Sequence, residues 1–317
     1  MTFLLPTPEI SGLVKLTDLG VISATGQEAG TFLQGQLTQD ILGMDGTDAR
    51  LAAFCNPKGR MQASFVVFRR NLDEILLLCS RDLVAVTVKR LSMFVMRAKV
   101  KVSDASDAFA LHGVAGSTVR LLTSHLGSPW SKVDVADASV VFLYPGAGTQ
   151  RAIWCGPADS PEPVGRHLDL ETWKWLEVQS GIAMVTQPIF EAFVPQMLNY
   201  ESVEGVNFKK GCYPGQEIVA RSQFRGTLKR RAYLIHADAL LTTGQEVFHL
   251  QDRDQPCGMV AAAAANPTGG FDAIVSLQTS AATDSLAHAG EQRLMVGSAQ
   301  GTALALLPLP YLLRNDI

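Results

Sequence analysis

Apolar positions recur along this chain with two periods, and the switches between them mark its elements. Ala29, Phe32, Leu33, Gln36 and Leu37 fall at helical spacing, behind a Thr25-Gly26-Gln27-Glu28 stretch that reads as a capping box. Residues 61–68 are rich in β-branched and aromatic side chains, and 74–79 form a short apolar run. Asn71-Leu72-Asp73 lies between them as a hairpin turn. Ser80 is placed to cap a helix that gathers Leu83, Val84, Leu91, Phe94 and Val95 on one side, and 99–102 alternate like a half-buried strand. The pattern then repeats: a strand near 109–112, a helix over 117–126, strands near 140–144 and 151–154, and a helix over about 170–180. Helices interspersed with strand pairs predict an α+β fold. No G-x-G-x-x-G follows a strand, so a dinucleotide-binding sheet has no support.

After Gly226 the texture changes. Residues 228–236, 245–250, 258–265, 271–277 and 294–306 are strand-like runs split by Gly, Pro, Asn or Asp, which predicts a small β sandwich or barrel. The alanines at 261–265 favour helix by propensity and cut against that pattern locally. The expected division is therefore residues 1–225, an α+β region of two subdomains, and residues 226–317, a β-barrel domain.

Composition alters this picture little. With 317 residues, 47% hydrophobic and 18% charged, the chain is an ordinary globular protein. A net charge of −3 gives no reason to expect direct nucleic-acid binding, although it leaves room for a local basic patch. Met1-Thr2-Phe3-Leu4-Leu5-Pro6 lacks the layout of a signal peptide, and no apolar run is long enough to span a bilayer. Five widely spaced cysteines without a C-x-x-C argue against a disulfide framework or a permanent metal site and suit a cytoplasmic protein.

The chemistry concentrates in Lys209-Lys210-Gly211-Cys212-Tyr213-Pro214-Gly215-Gln216-Glu217, a lone cysteine in a glycine-punctuated loop ahead of a helix. Nearby cations and a helix N-terminus favour thiolate, with Lys210 as the tuning residue and Glu217 as a helix cap or a partner for Lys210. A buried, inert cysteine in a tight turn is the competing reading. Gln34, Gln36 and Asp40 offer amides and a carboxylate that orient a flat heteroaromatic ligand or cap a helix, and Lys58 and Arg60 hold an anion or decorate a hairpin tip. Trp173 and Trp175 face different sides of one helix, so one can be buried while the other meets solvent or a ligand.

Lys210-Gly211-Cys212-Tyr213-x-Gly215-Gln216-Glu217, Gln34-Gly35-Gln36-Leu37-Thr38 and Cys55-x-x-Lys58-Gly59, in this order, resemble the YgfZ family of folate-binding relatives of the glycine-cleavage T-protein. The resemblance runs through to Leu307-Pro308-Leu309-Pro310-Tyr311. It implies α+β regions and a C-terminal β-barrel around a central channel associated with tetrahydrofolate. Trp173 matches a tryptophan credited with folate contact, and Leu19 stands where its companion tryptophan would be. The implied role is support of iron–sulfur cluster assembly or repair, and thereby of iron–sulfur enzymes that modify tRNA, through transient contact with those enzymes or assembly proteins and no membrane. Clusters need about four cysteine ligands, so Cys212 is at most a transient one. The T-protein's own aminomethyl transfer is the competing activity. Gly59-Arg60-Met61-Gln62-Ala63-Ser64 lacks the carboxylate which that reaction places after a Gly-Gly turn. A non-enzymatic folate-sensing adaptor is the third reading, and whether the chain is an enzyme stays open.

Overall fold

The computed structural model describes residues 9–224, 228–288 and 290–314. Two five-stranded sheets and a closed six-stranded barrel share one central core, which makes the fold mixed α and β with a C-terminal barrel. The first sheet has the order β3 (Ala49–Cys55), β4 (Met61–Asn71), β5 (Glu74–Ser80), β2 (Leu19–Thr25), β6 (Lys101–Asp104). The second has the order β1 (Gly12–Lys15), β7 (Phe109–Ala115), β10 (Thr149–Pro157), β9 (Ala138–Gly146), β8 (Lys132–Val135). The barrel runs β11 (Arg230–Ala237), β14 (Phe271–Gln278), β13 (Asp252–Ala265), β12 (Glu246–His249), β15 (Leu294–Val296), β16 (Thr302–Leu307), and β16 pairs back onto β11. The helices are α1 (Ala29–Gln34), α2 (Val84–Val95), α3 (Ser117–Thr123), α4 (Leu170–Gln179), α5 (Gln216–Phe224) and α6 (Thr279–Ala287).

Both faces of the first sheet are buried, which is why β4 and β5 read as continuous apolar runs without alternation. Val66, Phe68, Leu76 and Leu78 point into the central core, while Phe65, Val67, Ile75 and Leu77 pack beneath α1 and α2. The second sheet repeats the arrangement. Val141 and Ile153 face the centre, and Val140, Phe142 and Ala152 lie on the side of Val119 from α3.

Several local expectations give way to tertiary contacts. Thr25 ends β2, and the Glu28 carboxylate accepts the Lys99 backbone N–H, so no capping box forms. Ser80 ends β5 and makes no side-chain cap; a single 3-10 turn, Arg81–Leu83, precedes α2. Leu83, Val84 and Leu91 are buried as expected, but Phe94 faces solvent where α2 is about to end. β6 starts two residues later than the 99–102 pattern indicates, and α3 stops at Thr123 because Ser124 turns left-handed. Residues 294–306 divide into β15 and β16, and α6 lies unforeseen between β14 and β15. The alanines at 261–265 are strand, since their pairing with β14 closes the barrel and outweighs their propensity. The expected boundary at residues 225–226 lies outside the described residues.

Helix α4 is fastened to the barrel through one carboxylate. Asp272 on β14, 1% exposed, accepts Trp175 Nε1 at 2.7 Å, Gln179 Nε2 at 2.8 Å and Asn266 Nδ2 at 2.8 Å. Its other oxygen meets His236 Nδ1 at 2.7 Å. Asp169 caps the start of α4 by accepting the Thr172 N–H. Asp272→Ala strands three donors at a closed interface, and unsatisfied buried donors cost about 1–3 kcal/mol each before relaxation. Chemical denaturation followed by tryptophan fluorescence should show a loss of about 2–4 kcal/mol.

Candidate functional site

Two distinct places emerge. The first gathers the three sequence motifs. The 34–40 segment runs along the edge of β3, where Thr38 Oγ1 donates to Gly205 O at 2.7 Å and accepts the Ala53 N–H at 2.8 Å. The Asn207 N–H binds Thr38 O at 2.9 Å, so the cysteine loop leaves from this edge. Asn207 Oδ1 then accepts the N–H groups of Lys209 and Lys210, which turns the chain back. Lys210 Nζ donates to Gln34 O and, at 2.7 Å, to Leu37 O, and lies 4.7 Å over the Tyr213 ring. It caps the C-terminal end of α1, where carbonyls lack partners and a cation is favoured.

Glycine is required where the loop meets the β3–β4 turn. Gly215 has φ +81°, and a Cβ there would sit 2.5 Å from Asn56 O. Gly59, φ +72°, lies against Ile218 of α5. Gly211 is crowded by nothing, and Gln216 opens α5 with its N–H on Tyr213 O. Glu217 pairs with Arg221 at 2.8 Å, not with Lys210.

Cys212 is exposed at this junction, whereas Cys55, Cys79, Cys155 and Cys257 are buried. Burial pushes the thiols of Cys55, Cys79 and Cys155 up to about 12 and that of Cys257 up to about 11, so these four are poor nucleophiles at neutral pH. The buried-cysteine reading of Cys212 is thereby excluded. The Lys210 ammonium, expected to tune it, is itself bonded to the end of α1 and lies over the Tyr213 ring.

The second place is a cavity of about 670 Å³ where both sheets, α4 and the barrel meet. Leu51 and Val66 come from the first sheet, Leu143 and Ile153 from the second, and Ala261, Ala262 and Ala263 from the barrel. Trp130 and Tyr144 form an aromatic wall with ring centres 5.8 Å apart, and Trp130 Nε1 is held by Val203 O at 3.0 Å. Six charged groups line it: Asp18, Arg81 and Asp82 are exposed, Arg151 from β10 is buried, and Lys174 and Glu177 from α4 are partly buried. Arg151 Nε donates to Tyr144 O, while Nη1 is buried with no hydrogen-bond partner. Burial pulls its guanidinium down to about 10, with Glu177 opposing. Burial pushes the Glu177 carboxyl up to about 7 against the pull of Arg151, with Asp18 adding to the rise.

The expected folate contacts divide unevenly between these places. Leu19 lines the cavity. Trp173 does not: it is 1% exposed, packed against Gly113, with the Arg151 guanidinium 5.1 Å over its ring. Gln34, Gln36, Asp40, Lys58, Arg60 and Cys212 are likewise absent from the cavity wall. Gln34 bridges the Asp40 carboxylate and the Ile41 N–H, Gln36 keeps a buried, unpartnered Oε1, and Arg60 donates to Ala192 O. The 34–40 amides therefore fasten a turn. Arg151 and Glu177 were missed, yet both carry a signal: Glu177 stands four residues after Trp173 on one helix face, and Arg151 shares a strand face with Ile153. Among the described residues no three metal-ligating side chains converge, and no helix is long and apolar enough to cross a membrane.

The fold is that of the glycine-cleavage T-protein class. The aminomethyltransferase T structure from Bartonella henselae superposes with a TM-score of 0.65 over 96% of this chain and 87% of that one, at 15% identity. No protein-family model matches the chain. Among curated proteins the chain is similar to the YgfZ proteins. The tRNA-modifying protein YgfZ of Edwardsiella ictaluri is 29% identical over 94% of this chain and 92% of its own length. That of Cronobacter sakazakii is 27% identical over 96% and 94%.

The Lys210 clamp has a pH signature. Burial pulls its ammonium down to about 8 from 10.5, with Asp40 and Cys212 opposing. Between these values the unfolded chain holds a proton that the folded chain has lost, so this group makes stability rise with pH across that window. Lys210→Met should flatten that rise in denaturation midpoints measured from pH 7.5 to 10.5, and should speed Cys212 labelling by a thiol reagent as the loop detaches.

Proposed function

We propose that this chain is a tetrahydrofolate-binding accessory protein that supports iron–sulfur cluster assembly or repair, and through it the iron–sulfur enzymes that modify tRNA. The observation that carries the folate reading is the presence of Glu177 and of the unpartnered Arg151 Nη1 at one aromatic-walled cavity. Its volume lies within the ~300–1,000 Å³ of small-molecule sites. A pterin presents adjacent N–H donors and an oxo group on one edge. A carboxylate accepts the first and a guanidinium N–H donates to the second. Trp173 supports Arg151 from behind. The strand stretch that carries a carboxylate in aminomethyl transfer here offers the cavity only Ser64, whose hydroxyl already accepts the Val185 N–H. That favours an accessory role over transfer chemistry. The names of the relatives support the link to tRNA modification. The exposed Cys212, on a loop fixed at both sides, supports a thiol that acts outward on a partner or a cluster in transit.

Tetrahydrofolate should quench the fluorescence of Trp130. Its affinity should fall as pH drops below about 7, because protonated Glu177 no longer accepts two N–H groups. Glu177→Gln should weaken binding roughly 10–100-fold, the weight of a charge-assisted hydrogen bond, and remove the pH dependence. Absence of quenching at saturating ligand would refute the folate reading. Cys212→Ala should fail to restore an iron–sulfur tRNA-modifying activity in cells lacking the protein, with folate affinity unchanged; full restoration would refute the thiol role.

A further inference from the structure

The end of α2 and the edge strand β6 carry a surface that the cavity and the cysteine loop leave unexplained. Between Asp82 and Asp104 the chain has no acidic residue but five cations: Lys89, Arg90, Arg97, Lys99 and Lys101. All but the half-buried Arg90 are exposed. Among the described residues none of the five lies within ion-pair distance of a carboxylate. Glu28 and Glu191 stand only at the margins, the first bonded to the Lys99 N–H and the second within the field of Arg90. Three large apolar side chains stand among these cations: Met93, 60% exposed, Phe94, 48%, and Met96, 88%.

A second cavity, of about 480 Å³, lies on the other face of β6 from α2 and includes Lys101 in its wall. Ser23, Thr25 and Ser103 supply hydroxyls, Arg70 lies 4.9 Å over the Phe109 ring, and Glu74 and Asp104 supply carboxylates. Ser23 Oγ donates to Glu74 Oε1 at 2.8 Å and Arg70 pairs with Glu74 Oε2 at 3.1 Å, so neither that hydroxyl nor that carboxylate stands free for a ligand.

We propose that the ridge formed by the end of α2 and the edge strand β6 binds RNA, its cations along the phosphate backbone and Phe94 against a base. Unpaired RNA is recognised in this way, by basic tracks combined with stacking platforms. The net charge of −3 conceals the patch because the acidic residues lie elsewhere. This inference is independent of the ligand in the central cavity.

Fluorescence anisotropy with labelled, in vitro transcribed tRNA tests it. Five phosphate contacts on single-stranded segments give a slope of log affinity on log salt of roughly −3.5. The triple variant Lys89→Gln, Arg97→Gln, Lys99→Gln should raise Kd at least tenfold at 100 mM salt and reduce the slope by about 2. A charge-matched control, Lys15→Gln, Arg120→Gln, Lys229→Gln, should bind as wild type, and Phe94→Ala should weaken binding severalfold at unchanged slope. Thermal melting and tetrahydrofolate titration of the triple variant should match wild type, which separates this surface from the cavity. The proposal is overturned by no binding at about 10 µM protein in 50 mM salt, within the range of nonspecific association. Equal loss in the control, or displacement by polyglutamate as effective as by RNA, would overturn it too.

Discussion

One buried carboxylate sets the geometry of the molecule's centre. Asp272 receives donors from α4, from the turn before β14 and from β11, so the barrel and the helix carrying Glu177 share a fixed origin. A buried charge is tolerated only when its acceptor capacity is filled, and here both oxygens are engaged. The cavity is a space between separate layers, and its shape depends on their relative placement. That anchor fixes Glu177 relative to the barrel wall of the cavity, while Arg151 reaches in from the second sheet, against which α4 also packs.

The cavity and the exposed thiol are separate places joined by one segment. Tyr200 lines the cavity; four residues earlier, Gln196 Nε2 donates to Val219 O inside α5 at 2.7 Å. Asn199 in the same stretch binds Ala232 O of the barrel at 2.8 Å. The wall of the cavity and the base of the cysteine helix are therefore built from one short piece of chain. Beside Cys212 the three motifs act as joinery: a lysine on a helix end, a threonine between two backbones, a glycine under a turn.

Buried strands and helices were legible in sequence: 61–68 and 74–79 as apolar runs covered on both faces, and 170–180 through its helical period. The barrel was visible through its turns, and the motif resemblance pointed to the architecture as a whole. What failed was local capping at Thr25, Glu28 and Ser80, where a distant backbone group competed for the same side chain. The ligand-facing residues were the least legible. The motif residues drew attention through their polarity, yet Gln34 and Arg60 spend it on backbone. Arg151 and Glu177 lie in otherwise apolar elements, and their meaning depends on facing one another from a strand and a helix far apart in sequence.

The placement of β1 bears on how the polypeptide comes together. Gly12 pairs with Ala115, and between them lies the entire first sheet, from Leu19 to Asp104. The first sheet is thus an insertion within a loop of the second, and the opening strand waits, unpaired, until some hundred further residues have been made. During synthesis the first sheet can close on contiguous chain, while the second cannot complete its edge until that unit has compacted and brought the strand's two flanks together. Severing the chain between β6 and β7 would leave β1, an edge of the second sheet, on the half that holds the whole first sheet, so the two sheets form one topological unit.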